Sequence, residues 1–207
     1  LSLNTVPGNK QDGDFGLCAL PGRSGDAKAA IDLAVDQAQA LGAKFIHVMA
    51  GNASGPASHA TFVENLTYAL DITRGLGVQI LIEPINAHDV PAYFLKTVDQ
   101  AIDIINEIGS TNLKMMFDFY HVERQQGSAI TRFQATLNFV GHVQFASVPD
   151  RGSPDHGDLD FDKVFRVLDA HWNGFCGAEY RPVGPTDASL KWLQNLNSER
   201  DKASEQG

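Results

Sequence analysis

The stretch Val78-Gln79-Ile80-Leu81-Ile82-Glu83-Pro84 decides the fold. Val78 to Ile82 is a short, nearly continuous apolar run, the pattern of a strand covered on both faces, and Glu83 places a carboxylate where that run stops. A helix is predicted before it, from about Ser58 to Thr73, with Phe62, Leu66, Ala69 and Leu70 on one face. Another is predicted after it, opening at Thr97 with Gln100 placed for a capping box and ending at Gly109.

The alternation continues outward in both directions. Upstream, Leu1 to Asn4 reads as the end of a strand. A Gly-rich loop at Pro7 to Gly16 follows it, then a helix with Ser24 as N-cap and Ala27, Ala30, Ile31, Ala34, Val35, Ala38 and Leu41 on its buried face, then a strand over Ala43 to Ala50. Downstream, Leu113 to Phe119 reads as a strand, Ser128 to Phe139 as a helix, Val140 to Val148 as a strand, Asp160 to Leu168 as a helix and Gly174 to Tyr180 as a strand. The last helix begins near Thr186 and carries Leu190, Leu193 and Leu196; Asn197 to Gly207 is polar and expected to fray.

Strands that are apolar on both faces and alternate with helices define an α/β fold with a parallel sheet. Six strands are present in one domain spanning residues 1–207, whereas a closed (β/α)8 TIM barrel has eight and needs about 250 residues. The expected fold is therefore a TIM-barrel type with six of its eight parallel strands. A doubly wound open sheet is disfavoured because Gly8, Gly13 and Gly16 lack the spacing and context of a phosphate-binding turn.

Composition narrows the function. With 25 acidic against 16 basic residues the formal charge is -9, a field that repels a phosphate backbone, so the expected partner is a small molecule and not nucleic acid. No apolar run approaches ~18 residues, so no membrane span is expected. Two cysteines, Cys18 and Cys176, are too few for a disulfide framework and read as buried small residues of a reducing, cytoplasmic protein. A homo-oligomer is compatible with the sequence without being read from it.

The chemistry lies at the C-terminal ends of the later strands, where barrel active sites are built. Glu83 follows Ile80-Leu81-Ile82, Asp118 follows Met115-Met116-Phe117, Gln144 follows Val143, and Glu179 follows Gly177-Ala178, at separations of 35, 26 and 35 residues. Each interval fits one strand, one helix and their loops, so the four side chains are expected to converge. Buried carboxylates without partners neutralise or find a cation. An oxygen-rich set of this kind, Glu83, Asp118, Gln144 and Glu179, suits a divalent metal, Mg²⁺ or Mn²⁺. Each residue alone could equally be a satisfied cap near a strand end.

His121, three residues after Asp118, could donate to a substrate oxygen or be an ordinary loop histidine. Arg151 could hold a substrate carboxylate as a bidentate fork or lie solvated. His47, in Phe45-Ile46-His47-Val48, reads first as a paired core histidine, with substrate binding as the alternative. Cys176 reads as packing, and Met115, Met116, Trp172 and Trp192 as core or interface.

The motifs Ile82-Glu83-Pro84-Ile85-Asn86, Pro91 to Leu95, Phe117-Asp118-Phe119-Tyr120-His121, Gly141-His142-Val143-Gln144, Val148-Pro149-Asp150-Arg151-Gly152 and Cys176-Gly177-Ala178-Glu179-Tyr180-Arg181-Pro182 resemble the hydroxypyruvate isomerase family of the xylose-isomerase-like barrel superfamily. The resemblance extends to Pro21-Gly22-Arg23 and Phe62 to Leu66. It implies isomerisation of hydroxypyruvate to 2-hydroxy-3-oxopropanoate through an enediolate, with Glu83 and Glu179 as the acid/base pair on opposite faces of the substrate. Those two glutamates, with Asp118 and Gln144, also match metal ligands of related members. Arg151 would grip the carboxylate of this hydroxy-oxo acid, and His121 would polarise an oxygen.

The sequence also departs from the pattern. It begins at the family's third strand, which leads to the expectation that it is a fragment or variant transcript whose complete form has two further strands. Gln144 stands where many ketose epimerases of the superfamily carry histidine, Ser147 replaces an acidic or amide residue, and His88 occupies a variable position. The competing functions are a ketose 3-epimerase, a 2-oxo-tetronate isomerase, and an inactive truncated chain with a binding or regulatory role. The superfamily's DNA-repair endonucleases are disfavoured because seven scattered histidines do not make a zinc cluster.

Overall fold

The computed structural model of the protein describes residues 2–204, and the side chains of residues 2–197. Leu1 and residues 205–207, part of the expected opening strand and polar tail, lie outside the described residues.

Six strands, β1 (Ser2–Asn4), β2 (Phe45–His47), β3 (Gln79–Ile82), β4 (Leu113–Asp118), β5 (Val140–Phe145) and β6 (Cys176–Ala178), pair in parallel in the order of the chain. Neighbouring parallel strands need a crossover, and helices supply it. These are α1 (Ser24–Leu41), α2 (Pro56–Ile72), α3 (Val98–Ile108), the pair α4 (Phe119–Gln126) and α5 (Ala129–Thr136), and α6 (Phe161–His171), with α7 (Thr186–Ser189) and α8 (Lys191–Ser204) after β6.

The sheet is curled, as six strands of an eight-stranded barrel must be. Phe45 on β2 and His142 on β5 are three strands apart, about 14 Å in a flat sheet. Their rings are nevertheless 5.8 Å apart between centroids, across the concave face. Crowding on that face fixes Gly141, where a Cβ would come within 2.6 Å of both Gln79 Oε1 and Lys114 Cβ. A register irregularity between Met115 and Met116 faces this glycine, and beyond it Asp118 pairs directly with Gln144.

The helices form mainly on the apolar faces the sequence implies, with two differences in α1: Ser24 is its first residue and not its N-cap, which is Arg23 and makes no side-chain cap hydrogen bond, and Leu41, expected on the buried face, is exposed. Buried Ala27, Ala30, Ile31, Ala34, Val35 and Ala38 line one face of α1, which ends at left-handed Gly42. Thr97 caps α3 by accepting the Gln100 N–H at 3.1 Å, and Gln100 Oε1 accepts from Lys96 N–H, one residue before the usual capping-box partner. Asp160 caps α6.

Several boundaries differ from expectation. Strand β4 stops at Asp118, whose carboxylate caps α4 by accepting the Tyr120 N–H at 2.8 Å, so a helix starts where strand was expected to continue. Phe119, Tyr120, His121 and Val122 are all buried, and four buried residues in a row carry no helical period. Gly127 and left-handed Ser128 then separate α4 from α5, and Leu137–Phe139 forms a 3₁₀ turn rather than more of α5. The final helix divides at Leu190, and its second part runs on to Ser204 instead of fraying at Asn197. Cys18 is fully buried as expected, but Cys176 is exposed because β6 is the end strand of the sheet. No helix among the described residues is long and apolar enough to cross a membrane.

Candidate active site

The C-terminal ends of the strands bring the predicted residues together at one end of the curled sheet. Glu83, Glu179, His47, His121 and Arg151 line one cavity of about 110 Å³, walled by apolar side chains such as Phe15 and Met49. Phe15 reaches it from the loop after β1. That loop lies against the chain after β2 through Gly16 and Gly51, both at positive φ, where a Cβ on Gly51 would collide with the Gly16 carbonyl. A larger cavity of about 310 Å³ between α6 and α8 is mainly aromatic and aliphatic, and its lining includes none of the predicted site residues.

Glu83 is 6% exposed and Asp118 is fully buried. Burial and the facing charges of Asp118 and Glu179 push the Glu83 carboxyl well above its ordinary range, opposed by Arg151. Burial first, then Glu179, raise Asp118 to about 7, against the counter-pull of Arg151 and of the backbone N–H groups of Tyr120 and His121. Glu83 Oε1, Asp118 Oδ2 and Gln144 Oε1 are all buried without a hydrogen-bond partner, although most buried polar atoms in folded proteins have one. Three orphaned oxygens at neighbouring strand ends are hard donors of the kind a divalent cation takes. Gln144 is in register with Asp118, and neither of the two lines the cavity.

His121 is not in a loop but in the first turn of α4, 3% exposed. Burial, then Arg151, lowers it to about 3, so the ring is neutral at ordinary pH. Glu83, Asp118 and His121 bring one ligand atom each within 4.8 Å of one another, a spacing that by distance alone would admit His121 as a metal ligand. Its surroundings argue otherwise. Nδ1 faces two donors, the Asn86 side-chain amide at 2.7 Å and the Asn86 backbone N–H at 3.3 Å. A neutral ring that accepts at Nδ1 carries its proton on Nε2. Nε2 lies 3.8 Å from Asp118 Oδ2 and 3.9 Å from Glu83 Oε1, too far to bond either, so its N–H is a free donor beside the two carboxyls.

His47 is 2% exposed, and burial lowers it to about 4. Its Nδ1 is 3.5 Å from Glu83 Oε2, and its Nε2 has no partner. Arg151 Nη2 holds Glu179 Oε2 at 3.0 Å, and its guanidinium lies 5.2 Å from the centroid of the Tyr120 ring. Asp89 stands behind, 4.0 Å from Arg151 and accepting the Tyr120 hydroxyl at 2.9 Å. Burial works against the charge of Arg151, but Glu179, Asp118, Glu83 and Asp89 together raise its pKa.

Asn86, Asp89, Tyr120 and Phe15 were not singled out from the sequence. Asn86 lies within the Glu83-Pro84-Ile85-Asn86 motif, and Tyr120 is next to His121, so proximity to a strand end was the available signal. Nothing local marks Phe15 or Asp89, which arrive from loops.

An incomplete parallel barrel with convergent carboxylates at its strand ends defines a class of small-molecule enzyme scaffold. Residues 1–196 match the family described as xylose isomerase-like TIM barrel, and the chain belongs to that family. It is 40% identical over 197 residues to the 2-oxo-tetronate isomerase of Cupriavidus necator, covering 93% of this chain and 76% of that protein. It is 35% identical over 198 residues to the hydroxypyruvate isomerase of Escherichia coli, covering 93% and 77%. A crystal structure from Brucella melitensis, described as an AP endonuclease of family 2, superposes with a TM-score of 0.90 at 32% identity, over 94% of this chain and 77% of that one.

Proposed function

We propose that this chain is an aldose-ketose type isomerase that interconverts hydroxypyruvate and 2-hydroxy-3-oxopropanoate. The observation that carries this reading is the placement of Glu83 and Glu179 on the lining of one small cavity with Arg151 beside them. A volume of about 110 Å³ suits a substrate of three or four carbons, and a guanidinium at its wall suits a substrate bearing a carboxylate.

Isomerisation moves a proton between adjacent carbons. One glutamate takes a proton from the hydroxymethyl carbon of hydroxypyruvate, the electron pair passes into an enediolate, the hydroxyl proton of that carbon passes to the former carbonyl oxygen, and the second glutamate, which enters protonated, gives its proton to the former carbonyl carbon. No proton or electron is gained overall. Arg151 would hold the carboxylate, at the expense of its present pairing with Glu179, and orient the reacting carbons. The His121 Nε2–H would donate to the substrate oxygen on which charge develops, and His47 would stand behind Glu83 as a neutral ring. Phe15 and Met49 would exclude water from the enediolate.

Glu83, Asp118 and Gln144 would hold a divalent cation through their unpartnered oxygens, with Glu179 completing the set. When bound, the cation would supply positive charge to stabilise the enediolate.

The name of the Cupriavidus relative supports a second reading, isomerisation of a four-carbon 2-oxo acid at the same site. DNA cleavage, suggested by the description of the Brucella protein, is disfavoured by the net charge of -9 and by a donor set of oxygens rather than histidines. A panel of three- and four-carbon hydroxy-oxo acids and six-carbon ketoses, assayed with Mg²⁺ or Mn²⁺, tests the proposal. Turnover of the acids and not of the ketoses is expected. Faster turnover of a ketohexose would replace it with an epimerase, and no turnover from folded protein would favour a binding role.

A further inference from the structure

The loop after β5 carries Arg151 to the cavity, and its own chemistry is not absorbed by the site. Arg151 has a φ of 58°, in the left-handed region that non-glycine residues seldom occupy. Its backbone is held on both sides: its N–H donates to the Ser147 carbonyl at 2.9 Å, and its carbonyl accepts from the Arg181 N–H at 2.7 Å. The Ser147 N–H donates to the Gly152 carbonyl at 3.0 Å, and the Asp158 N–H closes the loop on the Val148 carbonyl at 2.7 Å.

Inside this loop, both ring nitrogens of His156 face carboxylates. Nε2 is 2.8 Å from Asp150 Oδ2 and Nδ1 is 2.9 Å from Asp155 Oδ1, with Ser147 Oγ at 3.2 Å from Nε2. A neutral imidazole has one N–H and could donate to only one of the two; the imidazolium donates to both. Asp150, the residue before Arg151, is itself held by Ser147 Oγ and by the Gly152 N–H at 3.0 Å. Ser147 is fully buried, so the hydroxyl anchors the loop and is not presented to a substrate.

We infer that His156, as an imidazolium clamped between Asp150 and Asp155, is a positioning residue that fixes the loop and thereby sets Arg151 against the cavity. It acts through Arg151 and touches no reacting atom. Among the described residues, Asp150 and Asp155 are the charged groups forming ion pairs with its ring within 4.0 Å. Both hydrogen bonds raise the pKa of His156 above its usual value of 6.5, so the clamp is complete below that value and is lost as pH rises through the raised one. The importance of Arg151 to substrate rests on the isomerase proposed above; the clamping of the loop does not.

The test therefore has two arms on the full chain. In the first, hydrogen exchange is followed at the amides of Arg151, Asp158 and Arg181 between about pH 6 and about pH 9 in the original sequence, in His156→Gln and in Asp155→Asn, corrected for intrinsic rates. Protection falling roughly tenfold across this range in the original sequence, and low throughout in His156→Gln, is expected. Asp155→Asn should lower protection less, since the Asp150 contact remains. Equal, pH-independent protection in all three would overturn the clamp, whatever the chain catalyses. Because His156 and Asp155 are about half exposed, both variants should keep the fold, and unchanged amides in α1 and α3 would verify it.

In the second arm, KM and kcat for hydroxypyruvate are compared. A KM increased roughly five- to tenfold by His156→Gln at about pH 6, with kcat within about twofold, is expected. A loosened loop with unchanged KM would overturn the positioning role. If the original sequence turns over no hydroxy-oxo acid, the isomerase proposal fails, and the exchange arm alone decides the clamp.

Discussion

Glu179 Oε2 lies 3.0 Å from Arg151 Nη2, so an ion pair between two residues lining the cavity joins the end of β6 to the loop after β5. Glu179 is half exposed while Arg151 is largely covered. The arginine is also the positive group that opposes the raised pKa values of Glu83 and Asp118, so with Asp89 behind it one guanidinium serves four carboxylates.

Replacing Arg151 should therefore act on binding and on charge together. Arg151→Ala is expected to raise KM for hydroxypyruvate roughly 30-fold or more, the scale of losing one side of a buried, hydrogen-bonded charge pair. Arg151→Lys should recover only part, because an ammonium cannot form the fork. Steady-state kinetics over a range of pH measure both effects, and the limb reporting the buried carboxylates should move to higher pH in Arg151→Ala. An unchanged KM would remove Arg151 from substrate binding.

Asp118 makes a prediction about stability. The folded carboxyl keeps its proton to about pH 7, whereas its ordinary value is 3.8, so between these values the folded chain binds more protons than the unfolded one. Stability from this group is complete below the lower value and is lost as pH rises toward the upper. His47 and His121, lowered to about 4 and about 3, act in the opposite direction, so the total profile of the chain hides the effect. The difference between Asp118→Asn and the original sequence removes the histidine contributions and reads Asp118 together with the share of the Glu83 shift that its charge causes. Asn still caps α4, and in the presence of a chelator the variant should gain about 2 to 4 kcal/mol relative to the original between about pH 4 and about pH 7. Urea denaturation at each pH measures it; a constant difference would contradict the raised pKa.

The fold was legible because its signal is repeated. Each buried strand, such as Val78 to Ile82, is followed by a helix with one apolar face, and the carboxyl or amide side chains recur at matched strand ends. The helix α4 was not legible, because a side-chain cap on Tyr120 N–H replaces the loop that would have announced it, and its first four residues are all buried. Likewise His121 was visible as a candidate, but its tautomer depends on Asn86, 35 residues earlier in the chain, and only the fold brings the two together. Glu83, Glu179 and Arg151 were visible as strand-end and loop residues; the ion pair of Arg151 with Glu179 was not, because it depends on how the loop through Arg151 folds back.

The contact between Asn86 and His121 gives a spectroscopic prediction. Nitrogen NMR of the imidazoles should find His121 neutral, with its proton on Nε2, down to about pH 4. Asn86→Ala should weaken that preference and lower kcat roughly tenfold while leaving KM nearly unchanged, as expected for a donor that matters most when charge develops. A proton on Nδ1 in the original sequence would mean that His121 offers a lone pair to the cavity instead.

The central claim is that Glu83 and Glu179 act on one substrate held between them. Proton NMR of hydroxypyruvate in deuterium oxide with Mg²⁺ tests it most directly, comparing the original sequence with Glu179→Gln and Glu83→Gln. The original sequence should form 2-hydroxy-3-oxopropanoate carrying deuterium at the former carbonyl carbon, and each variant, folded by circular dichroism, should lose about 10²- to 10⁴-fold in rate. Undiminished isomerisation by either folded variant would contradict the claim.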